Sequence, residues 1–159
     1  MKKVIILLSV LLVIACGAFD GYWFMTFDNF SNINPIICIL DKCTSDKQVT
    51  SNSYYDYCPG GCKHVFLMDR RPTKEIKDSA VIYFLKPQSF NHKGSRFISK
   101  SEAETINNSP HLILATYIFS VQQLKALDWS FSFPPDEKMK ELGVLTIPSY
   151  EDLNENYRK

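Results

Sequence analysis

Residues 112–119, LILATYIF, form the longest apolar run outside the N-terminal segment, and such a run predicts a central, buried strand of a β-sheet. Residues 80–85, AVIYFL, predict a second buried strand, which Pro87 stops. Shorter strands are predicted on either side of these two runs, at residues 36–40 and 144–147. The centre of the fold is therefore predicted to be a sheet.

Two polar patterns between these runs predict where helices begin. Ser99 with Glu102, and Ser120 with Gln123, have the spacing of a capping box, in which each side chain bonds to the main-chain N–H of the other residue. We therefore predict a short helix at residues 100–106 and another that starts directly after Ser120.

The C-terminal part of the chain continues this helical character. Asp136 and Glu137 would stand in the first turn of a helix that Gly143 ends, and residues 149–159 predict a polar helical tail. Together these patterns indicate the α+β class: a small mixed domain with an antiparallel sheet, a disulfide-braced N-terminal half and short helices towards the C-terminus.

The N-terminal half contains aromatic residues and turn residues in close succession. Residues 19–27 predict a buried strand, although an aromatic belt at the level of membrane headgroups is an alternative. Residues 54–57 and 64–68 flank the turn Pro-Gly-Gly at residues 59–61, and this arrangement predicts a hairpin tied by cysteines.

The composition fits one globular domain. The chain has 159 residues, of which 45% are hydrophobic, 13% aromatic and 22% charged, and its formal net charge is +1. A near-neutral charge argues against a nucleic-acid partner. The sequence contains no G-x-S-x-G, Walker, G-x-G-x-x-G or H-E-x-x-H motif, so the usual signatures of serine hydrolases, nucleotide-binding proteins and zinc proteases are missing.

The first sixteen residues have the layout of a secretory signal. Lys2 and Lys3 precede twelve residues that are apolar except for Ser9, which is too short for a membrane-spanning helix of about 17–25 residues. The run ends in Val-Ile-Ala-Cys at residues 13–16, which resembles the lipobox of bacterial lipoproteins. The resemblance covers residues 1–16 only.

This resemblance implies how the chain is processed. The Cys16 thiol would receive a diacylglycerol, residues 1–15 would be removed, and the new amine would be acylated, for example with palmitate. Residues 16–159 would then form a single lipid-anchored globular domain with a net charge of −1. The expected location is the cell envelope. Gly17 is not the Asp that resembles an inner-membrane retention signal in enteric bacteria, which in a Gram-negative host favours the outer membrane, facing the periplasm.

The remaining four cysteines form two clusters: Cys38 with Cys43, and Cys58 with Cys62. An exported chain enters an oxidising compartment, so two disulfides are predicted, with three possible connectivities. Zinc binding with His64 is a weaker alternative because the spacings differ from C-x2-C, and no metal or other cofactor is predicted. A redox pair at Cys58 and Cys62 is the other alternative, with one residue too many for C-x-x-C.

Basic side chains concentrate in residues 63–100, where the net charge is +6. Arg70, Arg71, Lys74 and Lys77 are a candidate binding patch for an acidic protein or anionic lipid, although a solvated surface is the default interpretation.

The function follows from this combination as a hypothesis. A small, membrane-anchored chain without a catalytic motif suggests a non-enzymatic binding module for another envelope macromolecule, such as an immunity or inhibitor protein or an accessory subunit. The alternative is a small envelope enzyme, either a thiol-disulfide catalyst at Cys58 and Cys62 or an unrecognised hydrolase. A protein partner in the envelope is expected in the first case.

Overall fold

The computed structural model describes residues 23–33, 35–41, 48–50, 53–58, 63–68, 79–87 and 96–158, which contain two β-sheets, four short α-helices and one 3-10 turn at Pro110–Leu112. The strands are β1 (Trp23–Asn29), β2 (Ile36–Asp41), β3 (Tyr54–Cys58), β4 (Lys63–Met68), β5 (Ser79–Leu85), β6 (Arg96–Phe97), β7 (Ile113–Ser120), β8 (Ser130–Phe133) and β9 (Leu145–Ile147). The helices are α1 (Lys100–Asn107), α2 (Val121–Ala126), α3 (Glu137–Glu141) and α4 (Tyr150–Tyr157).

The larger sheet has six strands in the order β6-β3-β2-β5-β7-β9, and every neighbouring pair is antiparallel. The two longest predicted strands are therefore confirmed and lie side by side as β5 and β7. β5 is buried almost throughout, whereas β7 alternates between buried and half-buried residues because only β9 separates it from the edge. The predicted α+β class with a mostly antiparallel sheet and C-terminal helices is confirmed.

The smaller sheet has three strands in the order β4-β1-β8. β1 runs antiparallel to β4 and parallel to β8, so residues 23–27 of the aromatic segment form the predicted strand, whereas residues 19–22 lie outside the described part of the chain. Met25 and Phe27 on β1 are fully buried against the larger sheet. Alternation along the strand places half-buried Thr26 and Asp28 on the opposite face.

Aromatic rings fill the space between the two sheets. Phe84 on β5 lies at the centre, with ring-centroid distances of 5.5 Å to Phe27, 4.6 Å to Tyr117 and 4.7 Å to Phe133. Contacts of this kind add to the free energy gained by removing the rings from water. This layer fixes the smaller sheet on the larger one.

Helix α1 covers part of the other face of the larger sheet. Its buried residues Ala103 and Ile106 pack with Ile37, Ile39 and Tyr55 from the central strands. The six-stranded sheet is therefore the middle layer of three.

The predicted helix starts are confirmed at both capping boxes. Ser99 and Glu102 at the start of α1, and Ser120 and Gln123 at the start of α2, make both of the reciprocal bonds. Such caps satisfy main-chain N–H groups that a short helix otherwise leaves unpaired.

Helices α2 and α3 end in the same motif. At the end of α3, Gly143 has φ +66°, its N–H bonds to Lys140 O at 2.9 Å, and the next N–H bonds to Met139 O at 3.0 Å. This is the Schellman arrangement. At the end of α2, Asp128 takes the same position with φ 52°. Each motif leads into a short strand followed by a cis proline bond, so a helix-turn-strand unit occurs twice.

The predicted hairpin between residues 54–57 and 64–68 is wrong. Both segments are strands, but β3 pairs with β2 and β6 in the larger sheet, whereas β4 pairs with β1 in the smaller sheet. The reason is that β3 buries both of its faces, with Tyr55 under α1 and Cys58 between the sheets. Within this middle layer β2 and β6 occupy the two edges of β3, so no edge of β3 is left for β4.

Candidate functional site

Most of the predicted site residues lie outside the described part of the chain. This applies to the lipidation site, two of the four clustered cysteines and the basic patch: Cys16, Cys43, Cys62, Arg70, Arg71, Lys74 and Lys77. Lipidation, disulfide bonding and the patch therefore stay predictions.

Cys38 and Cys58 are free thiols in the core between the sheets. On the paired strands β2 and β3, Cys38 stands opposite Asp56 and Cys58 stands opposite Ile36, so the two cysteines are diagonal neighbours. Diagonal Cα atoms are about 7–8 Å apart, and a disulfide usually spans about 4.4–6.8 Å. A direct bond between these thiols would need a shift of the main chain.

The surroundings of both thiols keep them protonated. Burial raises the pKa of Cys38 well above its usual value, and the nearby Cys58 and Asp56 raise it further. Burial, and then Asp56, also raises the pKa of Cys58. A thiol-disulfide catalyst needs a thiolate at neutral pH. Nothing around Cys58 in the described residues provides that activation.

The buried carboxylate of Asp41 accepts hydrogen bonds from the segment before β3. The Ser53 hydroxyl donates to Asp41 Oδ2 at 2.8 Å, and the Thr50 N–H donates to the same oxygen at 3.2 Å. These bonds connect the end of β2 to the start of β3.

Within the described residues, no group of three His, Cys, Asp or Glu side chains could hold a metal ion. In the same part of the chain, no helix has the length and apolar character to cross a membrane.

Exposed apolar side chains mark the candidate binding surface. Four large ones stand out among the described residues: Phe30, Phe97, Leu145 and Ile147. Single exposed hydrophobic residues are common on protein surfaces, but adjacent ones are informative. Leu145 and Ile147 are 52% and 53% exposed and belong to the same edge strand, β9.

Pairing between β7 and β9 brings four residues together on one face. Thr116 stands opposite Ile147, and Ile118 stands opposite Leu145. We call these four residues the β9 edge surface. They lie on the face of the larger sheet that α1 covers elsewhere, since Val81 and Tyr83 of that face stand opposite Ile118 and Thr116. Helix α1 covers the central strands on this face, but it leaves Leu145 and Ile147 on β9 exposed.

Several bonds fix the position of β9. The Schellman turn at Gly143 directs the chain out of α3, and the Gln123 side chain donates to Leu142 O at 2.9 Å and to Gly143 O at 3.0 Å. Pro148 follows the strand at once. The strand is therefore anchored before its first residue and cannot extend its N–H ladder beyond its last.

The segments on either side of β9 are acidic. Residues 136–158 contain six acidic and three basic side chains. One of the three, Lys140, pairs with Glu151 at 3.1 Å and lies 4.7 Å from the centre of the Tyr150 ring. This bond raises the pKa of Lys140. The pKa of Glu151 is lowered, first by a bond to its own main chain and then by Lys140.

Sequence reasoning predicted the β9 strand but missed its exposure. The alternation Leu-Thr-Ile is the same in a strand that faces a core and in one that faces a partner. The closely following Pro148 was the available signal, because proline is favoured at sheet edges.

No family model matches the chain, no curated protein matches its sequence, and no solved structure matches its fold.

Proposed function

We propose that this chain is a lipid-anchored protein of the bacterial cell envelope whose folded domain is a non-enzymatic binding module for another envelope macromolecule. The β9 edge surface is the observation that carries the proposal. It places adjacent aliphatic side chains next to an open strand edge, in a part of the domain where the Gln123 side chain bonds to the main chain directly before β9. An immunity protein, an inhibitor or an accessory subunit would each need such a surface.

The anchor is the part of the proposal that rests on the sequence. Cys16 would carry a diacylglycerol in thioether linkage after removal of residues 1–15. Only seven peptide steps separate it from Trp23, the first residue of β1, and they span at most about 25 Å. The binding module would therefore work close to the membrane, and we place it at the outer membrane facing the periplasm.

The basic patch is a second candidate surface, favoured by where its segment begins. β4 ends at Met68, which pairs with Trp23 at the start of β1. Arg70 is two residues beyond Met68, so the chain enters the segment with Arg71, Lys74 and Lys77 from the end of β1 nearest the anchor. An acidic partner or anionic headgroups would suit it.

Disulfide bracing is also part of the proposal. Each bond would form by loss of two electrons and two protons from two thiols to a thiol oxidant of the envelope. Cys38 and Cys58 are free in the structure and stand diagonally, so we propose that each bonds in the oxidised protein to Cys43 or Cys62 rather than to the other.

The intact mass of the protein from a membrane fraction tests anchor and bracing together. We expect loss of residues 1–15 and a gain that matches acyl chains. After denaturation we expect no alkylated thiol without reductant and four with it. A full-length mass without acyl groups would overturn the anchor, and thiols alkylated before reduction would overturn the bracing.

Photo-cross-linking in intact envelopes tests the binding function. A benzoylphenylalanine replaces Leu145 in one variant and Glu104, an exposed residue on α1, in the control. We expect a discrete protein adduct from position 145 that position 104 does not give. Absence of an adduct at position 145, or the same adducts at both positions, would contradict a binding role for β9.

A further inference from the structure

We propose that the β9 edge surface binds a basic, extended segment of a partner protein by strand addition, an inference that rests on the proposed binding function. The partner segment would become the seventh strand of the larger sheet. Its main chain would pair with β9, and its apolar side chains would contact Leu145 and Ile147.

The open side of β9 provides the main-chain part of this interaction. Among the described residues, β9 pairs with β7 alone, so half of its alternating N–H and C=O groups point away from the sheet. An extended peptide is the ligand that such an edge recognises.

The same strand limits the length of the new ladder. Before β9, the Val144 N–H already bonds to Met139 O at 3.0 Å, and after it Pro148 has no N–H. Pairing is therefore confined to about three residues of β9. Main-chain bonds alone would give weak binding, so side chains must supply specificity.

Apolar contacts supply part of that specificity. Leu145 and Ile147 point to one side, next to half-buried Ile118 and Thr116. A partner strand with aliphatic residues at alternate positions would place them on the same side and cover both exposed side chains.

The charge on either side of β9 indicates which residues should flank the apolar part of the partner segment. Glu141 is exposed at the end of α3, four residues before Leu145, and Asp152 is exposed at the start of α4, shortly after Ile147, whereas Glu151 beside it is paired with Lys140. Acidic groups thus flank both ends of β9, which favours Lys or Arg at both ends of the bound segment.

A second copy of this chain is the less favoured occupant. Two β9 strands side by side would bring the same acidic flanks together, and like charges there oppose association. A three-residue ladder is also small beside the surface that a stable dimer needs, which is on the order of 1,000 Å² or more.

Synthetic peptides test the inference on the full mature protein. The probes are ten-residue peptides with Val at alternate positions and Thr between them, flanked by two residues of Lys, Ser or Glu at each end. We measure binding by fluorescence anisotropy and amide exchange at residues 145–147. The Lys-flanked peptide should bind at least tenfold more tightly than the Glu-flanked peptide and should slow amide exchange in β9.

Matched variants locate the binding site. Leu145→Thr with Ile147→Thr keeps a residue type suited to strands and should weaken binding of the Lys-flanked peptide at least tenfold. Phe97→Thr, at the opposite edge of the sheet, should leave binding unchanged. Glu141→Gln should reduce the preference for Lys over Ser, whereas Glu104→Gln on α1 should not.

Three outcomes would overturn the inference: no peptide binds, protection appears away from β9, or the Phe97→Thr variant loses binding equally. Concentration-dependent dimers that Leu145→Thr with Ile147→Thr abolishes would assign the edge to a second copy instead. If the peptides fail while a position-145 adduct still forms in envelopes, the binding function stands and strand addition is wrong.

Discussion

Replacing Phe84 with alanine is expected to lower the free energy of unfolding by about 3–5 kcal/mol. Phe84 is fully buried near the C-terminal end of β5, and its ring contacts aromatic rings from three other strands, including Phe27, Tyr117 and Phe133. Truncation would remove these contacts and leave a cavity between two sheets whose main chains cannot both close on it. Urea denaturation followed by tryptophan fluorescence measures the change.

Two further variants serve as an exposed control and as a milder substitution at the same position. Phe97→Ala removes a ring of the same size that is 63% exposed and should change the free energy of unfolding by less than about 1 kcal/mol. Phe84→Leu keeps most of the apolar volume and should give a smaller loss than Phe84→Ala, so an effect can be measured even if the alanine variant does not fold. Equal losses for Phe84→Ala and Phe97→Ala would contradict the central position of Phe84.

Local signals in the sequence predicted the elements well. The capping boxes at Ser99 and Ser120 marked helix starts correctly because such a cap needs only residues three positions apart. Gly143 likewise marked a helix end, since glycine adopts positive φ at little cost. The Schellman turn at Asp128 gave a weaker signal, because aspartate adopts a positive φ, here 52°, less readily than glycine does.

Strand pairing and exposure could not be predicted in the same way. The Pro-Gly-Gly segment after β3 indicated a turn, but nothing local determines that the next strand enters another sheet. The exposure of Leu145 likewise depends on α1, more than 35 residues earlier, covering the central strands and not β9. The candidate site therefore emerged from long-range packing, whereas the anchor, the cysteines and the basic patch came from the sequence.

Replacing Asn29 with alanine is expected to lower the free energy of unfolding by about 2–4 kcal/mol. Asn29 is 2% exposed at the end of β1. Its Nδ2 donates to Ile33 O at 3.0 Å and to Cys58 O at 3.2 Å, and its Oδ1 accepts from the Ser31 N–H at 3.0 Å and from the Ser31 hydroxyl at 2.7 Å. Alanine would remove all four bonds; the Ser31 hydroxyl and Ile33 O would keep the 3.2 Å bond between them, and each buried group left without a partner costs about 1–3 kcal/mol when water cannot reach it.

The bond from Asn29 to Cys58 O also joins the end of β1 to the end of β3, so this side chain connects the two sheets. Asn29→Asp keeps the shape of the side chain but replaces the Nδ2 donor with a carboxylate oxygen. That oxygen would face the carbonyl oxygens of Ile33 and Cys58, which raises the pKa of the new carboxyl group in the folded state. The folded variant then binds its proton more tightly than the unfolded chain, so its stability should fall as pH rises through that range. Asn32→Ala, at an exposed position three residues on, should change the free energy of unfolding by less than about 0.5 kcal/mol. If Asn29→Asp matched the parent protein in urea denaturation at pH 7, the Nδ2 bonds would not be what holds the sheets together at this point.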